Sequence, residues 1–175
     1  MDFEDVLRTL AEFFEENGAE WGVIGGLAMA AHGASRTTLD VDIIVNREVQ
    51  DQLIGFLQSQ GFTTLHRSTG YSNHIHENPD KGRVDVVYVR GHTSRQVFDN
   101  IKVYEGPGGM KIPVPRPEHL AAMKAYSIKN DPKRTLRELA DIRVLLDAPG
   151  VDRAEINSYF VRYGLEDLLD RLDED

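Results

Sequence analysis

Aspartates interrupt two apolar segments of the chain. Asp40 and Asp42 lie two residues apart within residues 39–45, and Asp85 lies within residues 84–89. Because side chains alternate between the two faces of a strand, a strand here places Asp40 and Asp42 on one face. Carboxylates this close repel each other and lose solvation unless a cation neutralises them, and Mg²⁺ is a hard cation that prefers oxygen ligands. The pattern therefore indicates a divalent-metal site.

Spacing alone leaves other interpretations of these carboxylates open. Asp40 and Asp42 would also be stable at an exposed strand end or in an ion pair with Arg36, because ion-pair networks gather charge as metal sites do. Asp85 would be stable in a salt bridge with Arg36 or Arg83. If Asp85 converges with the first pair, it would instead bind one metal ion and accept the proton of a hydroxyl that attacks an α-phosphate.

A glycine pair, Gly25-Gly26, separates a short apolar run from a helical segment. Glycines in such a turn let a phosphate approach the backbone N–H groups at the start of a helix. A Gly-Gly pair is more often a plain tight turn. This pair precedes the aspartates by about a dozen residues in the order strand, turn, helix, strand, which is what nucleoside triphosphate chemistry requires.

Taken in order, these motifs resemble the signature of the nucleotidyltransferase superfamily with the DNA polymerase β-like fold. The resemblance rests on Gly25-Gly26, on residues 36–42 and on Asp85, and it spans residues 21–89. It is strongest toward a small bacterial branch that includes abortive-infection toxin nucleotidyltransferases, minimal nucleotidyltransferases and antibiotic adenylyltransferases. The usual Gly-Ser of the superfamily is Gly-Gly here, which removes a hydroxyl contact to phosphate and keeps the backbone contacts.

The resemblance implies roles for the matching residues. Asp40, Asp42 and Asp85 would be the catalytic residues and would ligate Mg²⁺, with Mn²⁺ as the alternative ion. Gly25 and Gly26 would lie against the triphosphate of a bound NTP.

Other nucleotide contacts follow from the same resemblance. Arg36 would lie beside the triphosphate, and Lys124 is carried over as a phosphate ligand from the segment that follows the sheet. A lysine on an amphipathic helix is by default solvated. Asp141 would orient Lys124 or a substrate group, or would be an ordinary aspartate on a helix surface.

Histidines and tyrosines offer weaker signals. His74 and His76 would share one strand face and could bind a metal, but without a third ligand nearby we expect a polar strand surface. Tyr71 and Tyr126 could stack on a base, but aromatic residues at these spacings are usually in the core.

Hydrophobic periodicity predicts the elements that position these residues. We expect helices in residues 3–16, 27–32, 48–60, 94–98, 118–129, 132–147, 153–163 and 166–172. We expect strands in residues 21–24, 39–45, 62–66, 71–76, 83–89, 101–104 and 111–114. The predicted fold class is α/β (α+β), with a mixed-sheet nucleotidyltransferase core in residues 1–115. A helical C-terminal subdomain in residues 116–175 is expected to pack on this core.

Composition excludes some classes of function. The chain has 175 residues, no cysteine and a formal net charge of −9. The missing cysteines exclude disulfides and thiolate metal sites, and the negative charge argues against binding nucleic acid through a general basic coat. With an acidic N-terminus and no apolar run long enough to span a membrane, we expect a cytoplasmic protein.

The sequence predicts transfer of a nucleoside monophosphate from an NTP to a hydroxyl acceptor, which could be a tRNA, a protein or a small molecule. A role in a toxin–antitoxin system, with a cognate toxin or antitoxin as partner, is compatible with the resemblance. The alternative is a catalytically weak or inactive nucleotide-binding or partner-binding module of such a pair. The loss of the serine at Gly26 favours this alternative, and the three aspartates in apolar strands oppose it.

Overall fold

A computed structural model of the chain describes residues 1–34 and 37–173. The chain divides into two compact units. The first consists of Met1–Ala31 with Ser35–Pro115, and the second consists of His32–Ala34 with Arg116–Asp175. Packing of the helical unit on the sheet unit stays a prediction.

The first unit contains both helices and strands. Its helices are α1 (Phe3–Glu16), α2 (Gly25–Ala31), α3 (Gln50–Ser59) and α4 (Gly91–Phe98). Its strands are β1 (Trp21–Ile24), β2 (Asp40–Asn46), β3 (Phe62–Arg67), β4 (Tyr71–His76), β5 (Arg83–Val89), β6 (Lys102–Glu105) and β7 (Lys111–Val114). The helices of the second unit are α5 (Pro117–Asn130), α6 (Thr135–Leu146), α7 (Arg153–Tyr163) and α8 (Asp170–Asp173).

A five-stranded mixed sheet with the order β1-β2-β5-β4-β3 forms the centre of the first unit. Strand β2 pairs in parallel with β5, and the other neighbours in this sheet pair antiparallel. Strands β6 and β7 form a separate antiparallel pair. The predicted α/β class with a mixed sheet is confirmed.

Buried apolar and partly exposed side chains alternate along the two central strands, β2 and β5. Val41, Ile43 and Val45 in β2 are fully buried on one face of the sheet, which leaves Asp40 and Asp42 on the other face. Strand β5 repeats the alternation. Burial of the branched side chains fixes the register, because a shift by one residue would bury the aspartates instead.

Helix α1 shows how the buried face is covered. Its apolar stripe is buried, and Phe13 stacks on Phe56 of α3 with ring centroids 4.6 Å apart. The side chain of Asp2 caps the helix by accepting a hydrogen bond from the backbone N–H of Asp5. Such stacking and capping contribute about 1 kcal/mol each.

The second unit is an assembly of helices around a small apolar core. Ile128 of α5, Ile142 of α6 and Phe160 of α7 are buried there. Arg116, which precedes α5, donates from Nη2 to both carboxylate oxygens of Glu155 in α7 at 2.6 Å each. No helix in the described part of the chain is long and apolar enough to span a membrane.

Candidate active site

The three aspartates converge on one face of the sheet. Asp42 in β2 is the register partner of Asp85 in β5, and Asp40 is the partner of Arg83. One carboxylate oxygen from each aspartate lies within 4.8 Å of one from each of the other two. All three side chains are half-buried. The parallel pairing of β2 with β5 therefore assembles the cluster.

Neighbouring donors hold the outer carboxylates in place. The Thr38 hydroxyl donates to Oδ1 of Asp40 at 2.8 Å. Oδ1 of Asp85 accepts from Nδ2 of Asn73 at 2.9 Å and from Nε of Arg83 at 2.8 Å. In each case the protein engages Oδ1, so these hydrogen bonds leave Oδ2 available for a cation or a proton.

Arg83 forms a salt bridge with Asp85. This is one of the alternatives to metal binding that the sequence left open. The bond to Asp85 raises the pKa of Arg83, and the nearby charges of Asp40 and Asp42 act in the same direction. The guanidinium is 44% exposed, so its contribution to stability is small. Arg83 thus places an exposed cation beside the three carboxylates.

Gly25 brings the backbone against the aspartates. It follows Ile24, the register partner of Asp42, and it has a φ of +61°. A Cβ at Gly25 would overlap the carboxylate of Asp42. Both the left-handed conformation and the close approach therefore require glycine.

Gly26 makes an equally close approach to Thr38. A Cβ at Gly26 would lie 2.5 Å from the Cβ and 2.7 Å from the hydroxyl oxygen of Thr38. The space that a serine side chain would enter is thus occupied by a threonine from the segment before β2. The sequence offered no sign of this contact.

The donor set of this cluster fits a divalent metal ion. Three carboxylates with oxygens a few ångströms apart are the ligands that Mg²⁺ and Mn²⁺ prefer, and a two-metal site uses the same kind of bridging aspartates. The hydrogen bonds from Thr38, Asn73 and Arg83 would orient the ligands, as partners of metal-binding carboxylates do. Metal ligation by Asp40, Asp42 and Asp85 stays a proposal.

Lys124 lies on helix α5 of the second unit, and its side chain reaches helix α6. Its ammonium donates to Glu138 at 3.1 Å and also contacts Asp141. Glu138, whose side chain is 2% exposed, also accepts hydrogen bonds from Arg134. Lys124 is therefore a paired, mostly buried lysine, and the sequence missed Glu138 as its partner.

Arg36, the other predicted phosphate ligand, lies outside the described residues. The predicted role of Asp141 is clarified, because its side chain is mostly buried and holds Lys124. The interpretation of Asp141 as an ordinary surface aspartate is wrong.

The histidine prediction needs a correction. His74 is fully buried, so the expected polar strand surface is wrong at this position. Its Nε2 lies 2.7 Å from the hydroxyl of Ser72, and its Nδ1 lies 3.2 Å from the hydroxyl of Thr64. Burial lowers the pKa of His74, although Asp85 acts in the opposite direction. His74 is a neutral, hydrogen-bonded core residue rather than half of a metal pair.

The expectation that Tyr71 and Tyr126 belong to the core is also wrong. Tyr71 is 47% exposed and Tyr126 is 53% exposed. Tyr71 stacks on His66 with ring centroids 4.6 Å apart. Tyr126 contacts the ring of Tyr163 within the helical unit.

Solved structures share this fold, although no family model and no curated protein matches the chain. The antibiotic-resistance factor ANT(2'')-Ia superposes with a TM-score of 0.70 at 12% identity, covering 94% of this chain and 93% of that chain. The lincosamide antibiotic adenylyltransferase LnuA, bound to lincomycin, gives 0.58 at 18% identity, covering 82% and 96%. An antigenic nucleotidyltransferase-like protein from Paracoccidioides brasiliensis gives 0.58 at 16% identity, covering 98% and 92%.

At these identities the likeness shows the fold. The chain has the nucleotidyltransferase fold over nearly its whole length, and the resemblance found in the sequence is confirmed at that level. Fold alone does not establish function, so the activity must be argued from the site.

Proposed function

We propose that the protein is a divalent-metal-dependent nucleotidyltransferase, which moves a nucleoside monophosphate from an NTP to a hydroxyl acceptor. The observation that carries the proposal is the convergence of the Asp40, Asp42 and Asp85 carboxylates within 4.8 Å of one another. Three carboxylates at one point of a half-buried sheet face are a donor set that suits a divalent cation, and this fold occurs in adenylyltransferases.

The aspartates would bind the metal ion and accept a proton. Asp40, Asp42 and Asp85 would hold Mg²⁺ or Mn²⁺, which when bound supplies charge stabilisation at the α-phosphate. Asp85 would accept the proton of the acceptor hydroxyl on Oδ2, because its Oδ1 already accepts from Asn73 and Arg83. The acceptor oxygen bonds to the α-phosphorus as the bond to the leaving pyrophosphate breaks.

Glycines and basic residues would form the nucleotide side of the site. Gly25 and Gly26 would lie along the triphosphate, supported by the close approach of Gly25 to Asp42. Arg36 and Lys124 are proposed phosphate ligands by resemblance. Since Lys124 already contacts two carboxylates, it would bind phosphate only while sharing its ammonium with them.

A small molecule is the acceptor that the charges favour. A tRNA acceptor needs a basic groove, which in the helical unit would be formed by basic residues of α5, α6 and the turn between them. Lys124 and Arg134 are committed to ion pairs there, and the chain carries a net charge of −9. ANT(2'')-Ia and LnuA act in antibiotic resistance and antibiotic adenylylation, which is compatible with a small hydroxylated acceptor for this chain.

Calorimetry and pyrophosphate release together test the proposal. Each NTP is titrated into the wild type with and without Mg²⁺, and pyrophosphate release is followed with water or an added alcohol as acceptor. Asp40→Ala combined with Asp42→Ala should abolish metal-dependent NTP binding. Asp85→Asn should keep binding and reduce pyrophosphate release at least about a hundredfold, the usual contribution of a general base.

The outcomes separate the enzyme from its alternative. If no NTP binds under any metal condition, the proposal fails at its first step. If NTP binds through the aspartates and no pyrophosphate is released, the catalytically weak module of a toxin–antitoxin pair becomes the better account. The binding result does not depend on knowing the natural acceptor.

A further inference from the structure

A row of side chains crosses the sheet through the carboxylate cluster. Asp42 in β2 pairs with Asp85 in β5, Asp85 pairs with Asn73 in β4, and Asn73 pairs with His66 in β3. Directly opposed residues on neighbouring strands point to the same face. Asp42, Asp85, Asn73 and His66 therefore share one face of the sheet, although only the first two were visible in the sequence as site residues.

In-line displacement gives the two ends of this row different tasks. The attacking hydroxyl and the leaving pyrophosphate must lie on opposite sides of the α-phosphorus. If the triphosphate lies along Gly25 and Gly26 at the β1 edge, the acceptor must approach from the side of β4 and β3. This step rests on the proposed function.

On that acceptor side the sheet face presents exposed aromatic rings. His66 and Tyr71 are stacked with an interplanar angle of 15°, and both side chains are exposed. Tyr71 lies two residues from Asn73 on β4 and therefore on the same face. The rings lie within about two strand spacings of Asp85, or about 10 Å, which is the reach of a small ring-bearing alcohol.

We propose that Asn73, His66 and Tyr71 form the acceptor subsite. It takes a small, non-anionic alcohol that carries an aromatic ring on the chain that bears the hydroxyl. The ring extends the His66–Tyr71 stack, and the hydroxyl reaches Asp85 alongside the Asn73 amide. Offset stacking on an aromatic face favours a flat ring over a saturated ring of the same size. The net charge of −9 disfavours a polyanionic acceptor.

Three primary alcohols test this subsite in the wild-type enzyme: phenylpropanol, cyclohexylpropanol and butanol. The measurement is kcat/KM for alcohol-dependent pyrophosphate release, with the nucleotidyl product identified by mass spectrometry. We expect phenylpropanol to exceed cyclohexylpropanol about five- to tenfold, as stacking in place of plain apolar contact predicts. Equal values for the two rings, or an equal value for butanol, would overturn the proposal.

Variants locate the preference on the chain. Because each enzyme is scored by its own ratio of phenylpropanol to cyclohexylpropanol, changes in the overall rate cancel. His66→Ala combined with Tyr71→Ala should bring the ratio to about one, Tyr71→Leu should do the same with less change in volume, and Tyr71→Phe should keep it. The matched control is Tyr126→Ala, an exposed tyrosine of the helical unit, which should not change the ratio. A ratio that survives loss of both rings contradicts the assignment.

A binding readout keeps the subsite testable if the enzyme proposal fails. Phenylpropanol should shift the ring proton resonances of Tyr71 more than cyclohexylpropanol does in NMR spectra of the wild type. If no NTP supports pyrophosphate release but these shifts occur, the proposed function is wrong and the ring-binding site stands. If pyrophosphate is released and no shift occurs, the acceptor subsite is wrong and the function stands.

Discussion

At the residue scale, the pair Gly26 and Thr38 explains a departure from the usual Gly-Ser motif. Thr38 fills the space beside Gly26, and its hydroxyl donates a hydrogen bond to Asp40. Gly26→Ser should therefore lower the free energy of unfolding by about 2 kcal/mol through overpacking. Urea denaturation measures the loss.

Two comparisons show whether contact with Thr38 causes the loss of stability in Gly26→Ser. Gly55→Ser in α3 is a matched control, because a Cβ at Gly55 meets nothing within 4 Å. Gly26→Ser combined with Thr38→Gly should lose less stability than the sum of the single changes, since the serine would then have room. Additive losses would show that the two positions are independent.

Thr38 also allows a test of how the carboxylates are oriented. Thr38→Val keeps the shape of the side chain and removes the hydrogen bond to Oδ1 of Asp40. We expect Mn²⁺ affinity, measured by electron paramagnetic resonance, to fall about tenfold, as for other groups that orient metal ligands. Thr38→Ser should retain most of the affinity. An unchanged affinity in Thr38→Val would mean that the hydroxyl does not orient the ligand.

At the element scale, the hairpin of β3 and β4 carries a buried polar chain whose stability depends on pH. The hydroxyl of Ser72 lies 2.7 Å from His74 and 2.7 Å from the hydroxyl of Tyr88 in β5. Burial holds the pKa of His74 below its ordinary value of 6.5. The unfolded chain therefore binds the proton more readily, and the stability due to neutral His74 is lost as the pH falls below about 6.5.

Replacement of His74 by glutamine should flatten this pH dependence. Between pH 8 and pH 5, wild-type stability should fall more steeply than that of His74→Gln, which starts lower at pH 8 by about 1–3 kcal/mol because buried hydrogen bonds are perturbed. Urea denaturation across this range measures both effects. Some slope should remain in the variant, because burial and Arg116 also lower the pKa of His119. If the stabilities of the two proteins change in parallel with pH, titration of His74 does not cause the pH dependence of stability.

Helices α5 and α6 offer a test of the role of Lys124. Lys124→Met should lower the free energy of unfolding by about 3 kcal/mol, because it leaves Glu138 and Asp141 without their shared cation. If Lys124 serves only as a phosphate ligand, stability should stay unchanged while NTP affinity falls. Lys124→Met combined with Glu138→Gln and Asp141→Asn should recover part of the stability.

The strands of the five-stranded sheet show what a sequence can and cannot reveal. Alternation in β2 and β5 was enough to predict the strands and the shared face of Asp40 and Asp42, and the mixed sheet was predicted from the resemblance to nucleotidyltransferases. Alternation could not predict that Asn73 would meet Asp85 or that His66 would join the row, because strand order and the irregular register between Thr64 and His66 are set by tertiary packing. His74 was misjudged because its polarity suggested exposure, whereas Ser72 and Thr64 satisfy its nitrogens inside the core.

At the scale of the whole molecule, the carboxylate cluster should couple metal binding to stability. The three aspartates lie together in the folded chain, whereas in the unfolded chain Asp85 is separated from Asp40 and Asp42, so an ion that binds all three stabilises the folded state. Mg²⁺ or Mn²⁺ at about a hundred times its dissociation constant should add about 2.7 kcal/mol. In a chain of this size that raises Tm by several degrees, at about 2–4 °C per kcal/mol.

The response should depend on the cluster and not on the acidity of the chain in general. Asp40→Asn combined with Asp42→Asn should abolish the rise in Tm, because it removes two of the three charged ligands. Asp80→Asn, which changes an exposed carboxylate in a turn, should respond to Mg²⁺ as the wild type does. Differential scanning calorimetry at matched ionic strength measures these shifts. A rise in Tm that persists in the double variant would place the stabilising ion elsewhere and remove the metal site from the proposed mechanism.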